Sequence, residues 1–400
     1  MRFKLGALAA LALILGSSTK LLAADLSMES GALLRYDSNV FRISEAAQRS
    51  SPHDGDEYVA AANVSANAAF QFGLIKTDLA ATVQKNWFRY NDELDSIEYT
   101  AGLTGQYDAQ SGQINFSADH SRLASSFNDV RVGSLNRRTL TTAKISGSRI
   151  FLRDLRIVAG TGVSISKNTA ERLRLTDSRS YFVRGGVGYF PSSYTVISLE
   201  YILRQGDGLR TREVDIGGVP VRYTSDYRET GFGLSYSWKP SVIWELAGSF
   251  GYTKHDDNSP LAADFKGITG EGKIKWSPLE RLNLTISGER SFANDSTVFA
   301  NGIRVTRING TVRYQPLETV DVELVAEHRA RLFRYDIEAA DILQSRNEKL
   351  TSIGANIGYS TPSQIRFGIG VTHDRLEPDS VNAGYQATQL LVSINALLFK

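Results

Sequence analysis

Cysteine is absent from all 400 residues, which excludes a disulfide framework, a thiol nucleophile, a thiolate metal site and a lipid-acylated N-terminal cysteine. Proline occurs only nine times and methionine twice. No segment after the N-terminus approaches the roughly 20 apolar residues that a membrane helix needs. Charge of one sign is not in excess either. Loss of Arg2, Lys4 and Lys20 with an N-terminal leader takes the 45 basic residues to 42, against 43 acidic ones, and nothing in that balance points to nucleic acid. What the chain does contain is 34 Gly, 17 Tyr and 18 Phe without long charge runs or low complexity, the composition of a folded protein.

Arg2 and Lys4 precede the apolar run Leu5 to Gly16, and small residues follow as far as Ala23-Ala24. Residues 1–24 are therefore expected to be a secretory signal peptide and 25–400 the mature domain. Lys20 and Leu22 depart from the usual cleavage pattern.

The repeating unit is clearest at Phe265 to Phe292. Ile268, Ile274 and Trp276 share one parity with Gly270 and Gly272, while Thr269, Glu271, Lys273 and Lys275 hold the other. Beyond Ser277-Pro278-Leu279-Glu280, Leu282, Leu284 and Ile286 alternate with Asn283, Thr285, Ser287 and Glu289. A period of two is that of a β-strand, and the proline marks the turn. The pattern recurs from Leu26–Ser38 to Tyr385–Lys400, giving about 18 strands, with 16 as the alternative count. Short turns fall near 73, 111, 152, 192, 240, 278, 316 and 362, and longer polar loops between them, among them 39–56, 91–96 and 206–224. Short turns on one side and long loops on the other predict an all-β, transmembrane, antiparallel up-and-down barrel with periplasmic turns and extracellular loops. In lipid every backbone group needs a partner, so the last strand is expected to close on Leu26–Ser38.

Prolines are expected outside strand interiors. Pro191, Pro240, Pro278, Pro316 and Pro362 fall at the short turns, and Pro52, Pro220, Pro260 and Pro378 in the loops. Aromatics are expected to form two interfacial belts. Trp238, Trp244, Trp276, Tyr314 and Tyr359 lie beside the turns, and Trp87, Tyr99, Tyr181, Tyr227, Tyr252, Phe292, Phe333 and Tyr385 beside the loops.

No catalytic constellation is expected, nor a metal site or a cofactor. His53, His120, His255, His328 and His373 lack ligand spacing, and Asp119 and His120 are neighbours on a strand, so they point to opposite faces. Asp54-Gly55-Asp56-Glu57 is read as a solvated loop, with a divalent-cation site as the alternative. The functional candidates are the charges on the lumenal parity: Glu271, Lys273, Lys275, Arg307, Arg313, Glu323, Glu327, Arg329 and Arg331. Arg307 and Arg313 are placed to pair with Glu323 or Glu327 across strands. At this strand number the interior holds water, so the row is either a wall of ion pairs or a track that selects what passes.

Tyr36-Asp37-Ser38-Asn39-Val40-Phe41-Arg42, followed by Lys85-Asn86-Trp87-Phe88-Arg89-Tyr90, Leu94-Asp95 and Tyr99-Thr100-Ala101-Gly102, resembles the outer-membrane β-barrel proteins of exopolysaccharide biosynthesis operons, the Eps-type, β-barrel porin 2-like family. The resemblance covers roughly residues 30–110 and implies an outer-membrane pore or scaffold for polysaccharide passage, with polysaccharide and periplasmic export proteins as partners. A general diffusion porin for small hydrophilic solutes is the alternative, and an outer-membrane enzyme the remote one. Outer-membrane lipid, lipopolysaccharide and the barrel-assembly machinery are the partners that any such barrel implies. Asp37, Ser38 and Asn39 are turn formers that bond their own backbone, and Tyr36, Phe41 and Arg42 are the element's candidates for a sugar or partner site.

Overall fold

The structure, a computed structural model, describes residues 25–49, 55–125, 127, 135–192, 194–216, 219–224, 226–258, 265–293, 302–334, 346–378 and 384–399. The expected leader at 1–24 lies outside the described residues, as do Pro52, His53, Asp54 and Pro260.

The period of two organises the whole wall. Its first strands are β1 (Asp25–Asp37), β2 (Glu57–Phe72), β3 (Ile75–Phe88), β4 (Ser96–Ala109), β5 (Gly112–Ala124) and β6 (Arg137–Leu152). Next come β7 (Leu155–Asn168), β8 (Ser178–Ser192) and β9 (Thr195–Gly208), then a separate hairpin of β10 (Thr211–Ile216) and β11 (Val219–Thr224). The wall resumes with β12 (Tyr227–Trp238), β13 (Trp244–Asp257), β14 (Phe265–Leu279) and β15 (Leu282–Ala293). It ends with β16 (Gly302–Leu317), β17 (Val320–Arg334), β18 (Arg346–Ser360), β19 (Ile365–Leu376) and β20 (Tyr385–Phe399). Eighteen of these form one antiparallel sheet, and β1 pairs with β20 from Met28↔Phe399 to Asp37↔Gln389. Closure removes every sheet edge, as lipid requires.

Each strand sends one parity outward and one inward. On β17, Leu324 is 50% exposed on the outer surface, while Glu323 and Glu327 lie on the lumenal parity with Arg313 and Asn309 across from them. The outer face is a continuous apolar belt that includes Leu34, Phe232, Ile268, Ile353 and Ile369. An exposed apolar surface of that extent is stable only against hydrocarbon. At the turn side the belt ends in aromatic rings, with Trp244 stacked on Trp276 at 5.4 Å between centroids.

Four expectations need correction. The segment 206–224 is not simply a loop: β9 runs to Gly208, and β10 and β11 pair from Thr211↔Thr224 to Ile216↔Val219. Pro191, Pro278 and Pro316 lie inside strand bounds rather than in turns, and the turn after β14 is Glu280-Arg281. The register shifts at each of these prolines, because a bulge leaves one residue unpaired and a missing N–H costs nothing there. Pro220 likewise sits in β11, in a two-stranded ribbon with free edges. Finally, Tyr227 and Tyr385 do not join the loop-side belt. They lie on the lumenal parity, where Tyr227 stacks on His255 at 4.8 Å and Tyr385 is buried with Leu350, Leu376 and Ala387.

Candidate functional site

The mouth on the loop side is built by the segment between β1 and β2. Asp37 ends β1 pointing inward, and its Oδ1 accepts from the Asn39 backbone N–H at 3.0 Å, an Asx turn that reverses the chain over the lumen. Asn39 is completely buried. Its side-chain amide donates to the carbonyls of Ile43 at 2.7 Å and Gln386 at 3.0 Å, and its Oδ1 accepts from Ile43 N–H at 3.1 Å. Arg42 takes a left-handed φ of 56°, which brings its guanidinium back onto Asp37 at 2.7 Å and the Asn39 carbonyl, with Asp374 of β19 at 3.4 Å. Gln389 Nε2 donates to the other Asp37 oxygen at 2.8 Å. Ser38 and Thr388 exchange two bonds, N–H to carbonyl at 3.0 Å and N–H to Oγ at 2.8 Å. These residues form a clasp between the first and last strands.

Phe41 projects from the clasp and meets Phe127, in the loop between β5 and β6, edge to face at 5.4 Å. The segment therefore spans part of the mouth. Tyr36 faces outward and donates to Asp56 at 2.8 Å.

Residues 85–102 form an adjoining latch. Lys85 and the Phe88 N–H both meet the Asp95 carboxylate, at 3.3 and 2.8 Å. Asn86 donates to Ser96 at 3.1 Å and Glu98 at 3.0 Å. Glu57 locks the latch from β2. Its carboxylate accepts from the backbone N–H groups of Tyr58, Arg89, Tyr90 and Asn91 and from the Asn91 side chain at 2.7–3.1 Å. Glu57 has no exposed surface, so the solvated-loop reading of Asp54 to Glu57 does not hold for it, and a carboxylate so fully engaged has no lone pair left for a cation.

All nine lumenal candidates share the inward parity, as the registers of β13 to β18 show. Charge is neutralised locally along the β16–β19 wall. Arg313 binds Glu323 directly, Arg366 binds Asp321 at 2.6 Å, and Arg307 stands 3.5 Å from Glu327. Arg329 is 8% exposed beside Glu327, and Arg331 lies 3.9 Å from Glu348. Lys273 and Lys275 on β14 are different: neither has an ion pair among the described residues. Lys273 and Glu271 line a cavity of about 370 Å³ with Glu289 and Asn309, and the Arg313, Asp321 and Arg366 side lines a second of about 500 Å³ with Asn356, Ser393 and Asn395. The arrangement can bind water, ions and hydroxyl-bearing solutes through fixed charges and amides. Asp119 and His120 lie on opposite faces, bonded to Thr142 and Thr141 respectively.

Residues 245–397 match the model of the family described as "Putative beta-barrel porin 2", a stretch that does not overlap residues 30–110. No curated protein matches the chain. Among solved structures it is similar to the outer membrane protein OpdK of Pseudomonas aeruginosa, at 14% identity and a TM-score of 0.45 over 93% of this chain and 99% of that one. OccK5 (OpdH) of the same organism gives 12% and 0.47 over 95% and 100%, and OccAB3 of Acinetobacter baumannii 10% and 0.46 over 94% and 99%.

Proposed function

We propose that this porin-like outer-membrane barrel is a diffusion channel for small hydrophilic solutes, in which the lumenal Lys273 and Lys275 of β14 set the charge preference. The carrying observation is the contrast between two lumenal walls. The β16–β19 wall neutralises its own charge, whereas Lys273 and Lys275 have no ion pair among the described residues and face the water that an 18-stranded barrel encloses. A fixed charge without a counter-ion attracts mobile ions of the opposite sign. The mouth segment held by Arg42 narrows the entrance, which favours small solutes over a polymer.

Passage of an exopolysaccharide rests on the family resemblance. The residues that carry it are engaged elsewhere: Asp37, Ser38, Asn39 and Arg42 are bonded within the clasp, and Tyr36 donates its hydroxyl to Asp56. Reconstitution separates the readings. The refolded barrel in planar bilayers should show stable single-channel conductance with anion preference, and liposomes containing it should swell in monosaccharides but not in long oligosaccharides. A heat-modifiable, folded barrel that conducts nothing would remove the diffusion reading. Loss of secreted polymer in a deletion strain with unaltered small-solute uptake would favour the exopolysaccharide one.

A further inference from the structure

The lumenal cavity of about 370 Å³ on β14 and β15 gathers charges of both signs that the wall does not neutralise. Glu271 and Glu289 stand directly opposite each other on adjacent strands, about 5 Å apart at Cβ, and like charges in that relation repel. Neither has an ion pair among the described residues. Glu289 accepts the Ser291 hydroxyl at 2.7 Å. Its register partner on the far side is Arg307, but that guanidinium turns to Glu327, 3.5 Å away.

Lys273 follows two residues nearer the turn side, about 7 Å along β14. Its row explains why it has no ion pair. Ala247 faces it from β13 and Ser287 from β15, Asn309 comes next on β16, and the first acid on that level is Glu327 on β17. Ala247, Ser287 and Asn309 are short side chains, and they leave the recess open between the two carboxylates and the ammonium.

The recess is therefore negative at its loop-side end and positive at its turn-side end, with a hydroxyl and an amide between them. An inorganic anion gains from the lysine end and nothing from the acids, a cation the reverse, and a neutral polyol has no use for either charge. A solute that carries an ammonium and a carboxylate on neighbouring atoms meets both ends at once, and its ammonium relieves the repulsion between the two acids. We propose that this recess is a binding site for small zwitterions of the α-amino acid class, with the ammonium between Glu271 and Glu289 and the carboxylate on Lys273. Ser287 and Asn309 supply the hydrogen bonds that fix its orientation. The volume stands near the lower end of the range for small-molecule sites, in keeping with a ligand of a few heavy atoms. This assignment rests on the diffusion channel proposed above and names the class of solute that the channel favours.

Uptake of radiolabelled solutes by liposomes containing the refolded full-length barrel tests the site. Alanine is compared with two molecules of its own size, the neutral lactamide and the cationic alaninamide. Alanine is expected to enter at least fivefold faster than either at low concentration, and its rate to saturate as the site fills. In the Glu271→Gln, Glu289→Gln variant and in Lys273→Gln, the ratio of alanine to lactamide uptake should fall to near one. A barrel that admits lactamide, and alanine no faster, overturns the site while the channel stands; one that admits neither overturns both. Alaninamide entering as fast as alanine makes the acids a plain cation site and overturns the assignment, whether or not the variants fold. An undiminished ratio in either folded variant does the same.

Discussion

Glu245 stands directly across from Lys275 on the neighbouring strand, yet its carboxylate is held by Lys239 at 3.4 Å, leaving Lys275 without an ion pair among the described residues. Replacing Lys273 and Lys275 together by Glu is therefore expected to leave the barrel folded and to move the reversal potential under a salt gradient toward cation preference. The same reversal at Arg329 and Arg331 should behave differently. Those side chains are largely buried beside Glu327 and Glu348, so acids there place like charges together, and the variant should lose heat-modifiable migration before its selectivity can be measured. Unchanged selectivity in the folded lysine variant would refute the lysine assignment.

Arg42 tests the clasp. Removing one partner of a buried ion pair costs about 3–5 kcal/mol because the remaining charge is left uncompensated. In Arg42→Ala, Asp37 and Asp374 are so exposed to each other, and the mouth segment should detach. The expected readings are a lower urea midpoint for unfolding, new protease cleavage in the segment between β1 and β2, and a larger single-channel conductance.

Glu57→Ala probes the latch. It removes an acceptor from four backbone N–H groups, of which that of Arg89 still has the Tyr58 carbonyl, and an unsatisfied buried donor costs about 1–3 kcal/mol. Faster amide exchange should be confined to residues 88–91 and their neighbours, while β14 to β18 exchange as before. Uniform acceleration around the barrel would show that the carboxylate has a global rather than a local role.

Two adjacent positions on β17 test the assignment of faces. Leu324→Arg puts a cation into the apolar belt at an expected cost of roughly 2–4 kcal/mol. Val325→Arg puts it into the lumen between Glu323 and Glu327 and should cost little. Equal midpoints in lipid vesicles would contradict the division into lipid and lumen faces.

Faces and closure were legible in the sequence because both follow from alternation. The residues of β14 and β15 declare their sides without any knowledge of their neighbours. That Arg307 and Arg313 would pair with Glu323 or Glu327 across strands was legible for the same reason; the register puts Glu323 directly opposite Arg313, while Arg307 faces Arg329 and reaches Glu327 on the diagonal. Partner choice among several acids was not: that Lys239, a turn residue, takes Glu245 from Lys275 depends on where the chain bends. The hairpin of β10 and β11 was hidden by Pro220, which argues against a strand unless the ribbon has a free edge. Tyr227 and Tyr385 look like belt residues by position alone. Their parity shows them to be lumenal, and the inward fold of the mouth gives Tyr385 apolar company. The Tyr36–Arg42 element reads as an exposed loop motif because nothing local reveals that Asp374, Gln386 and Gln389 will arrive from the far end of the chain.

That distance bears on how the barrel is completed in time. The bonds between Ser38 and Thr388 join residues 350 positions apart, so they form only after nearly every intervening strand has been laid down and the loop-closure entropy of the whole chain has been met. Until then Asp37 and Arg42 have each other but lack Gln389 and Asp374, and the first strand keeps one side unpaired. A chain halted before β20 thus carries at its beginning a marker of its missing end: an open edge beside half-satisfied charges, which surveillance proteases in the compartment of assembly can reach and a finished barrel conceals.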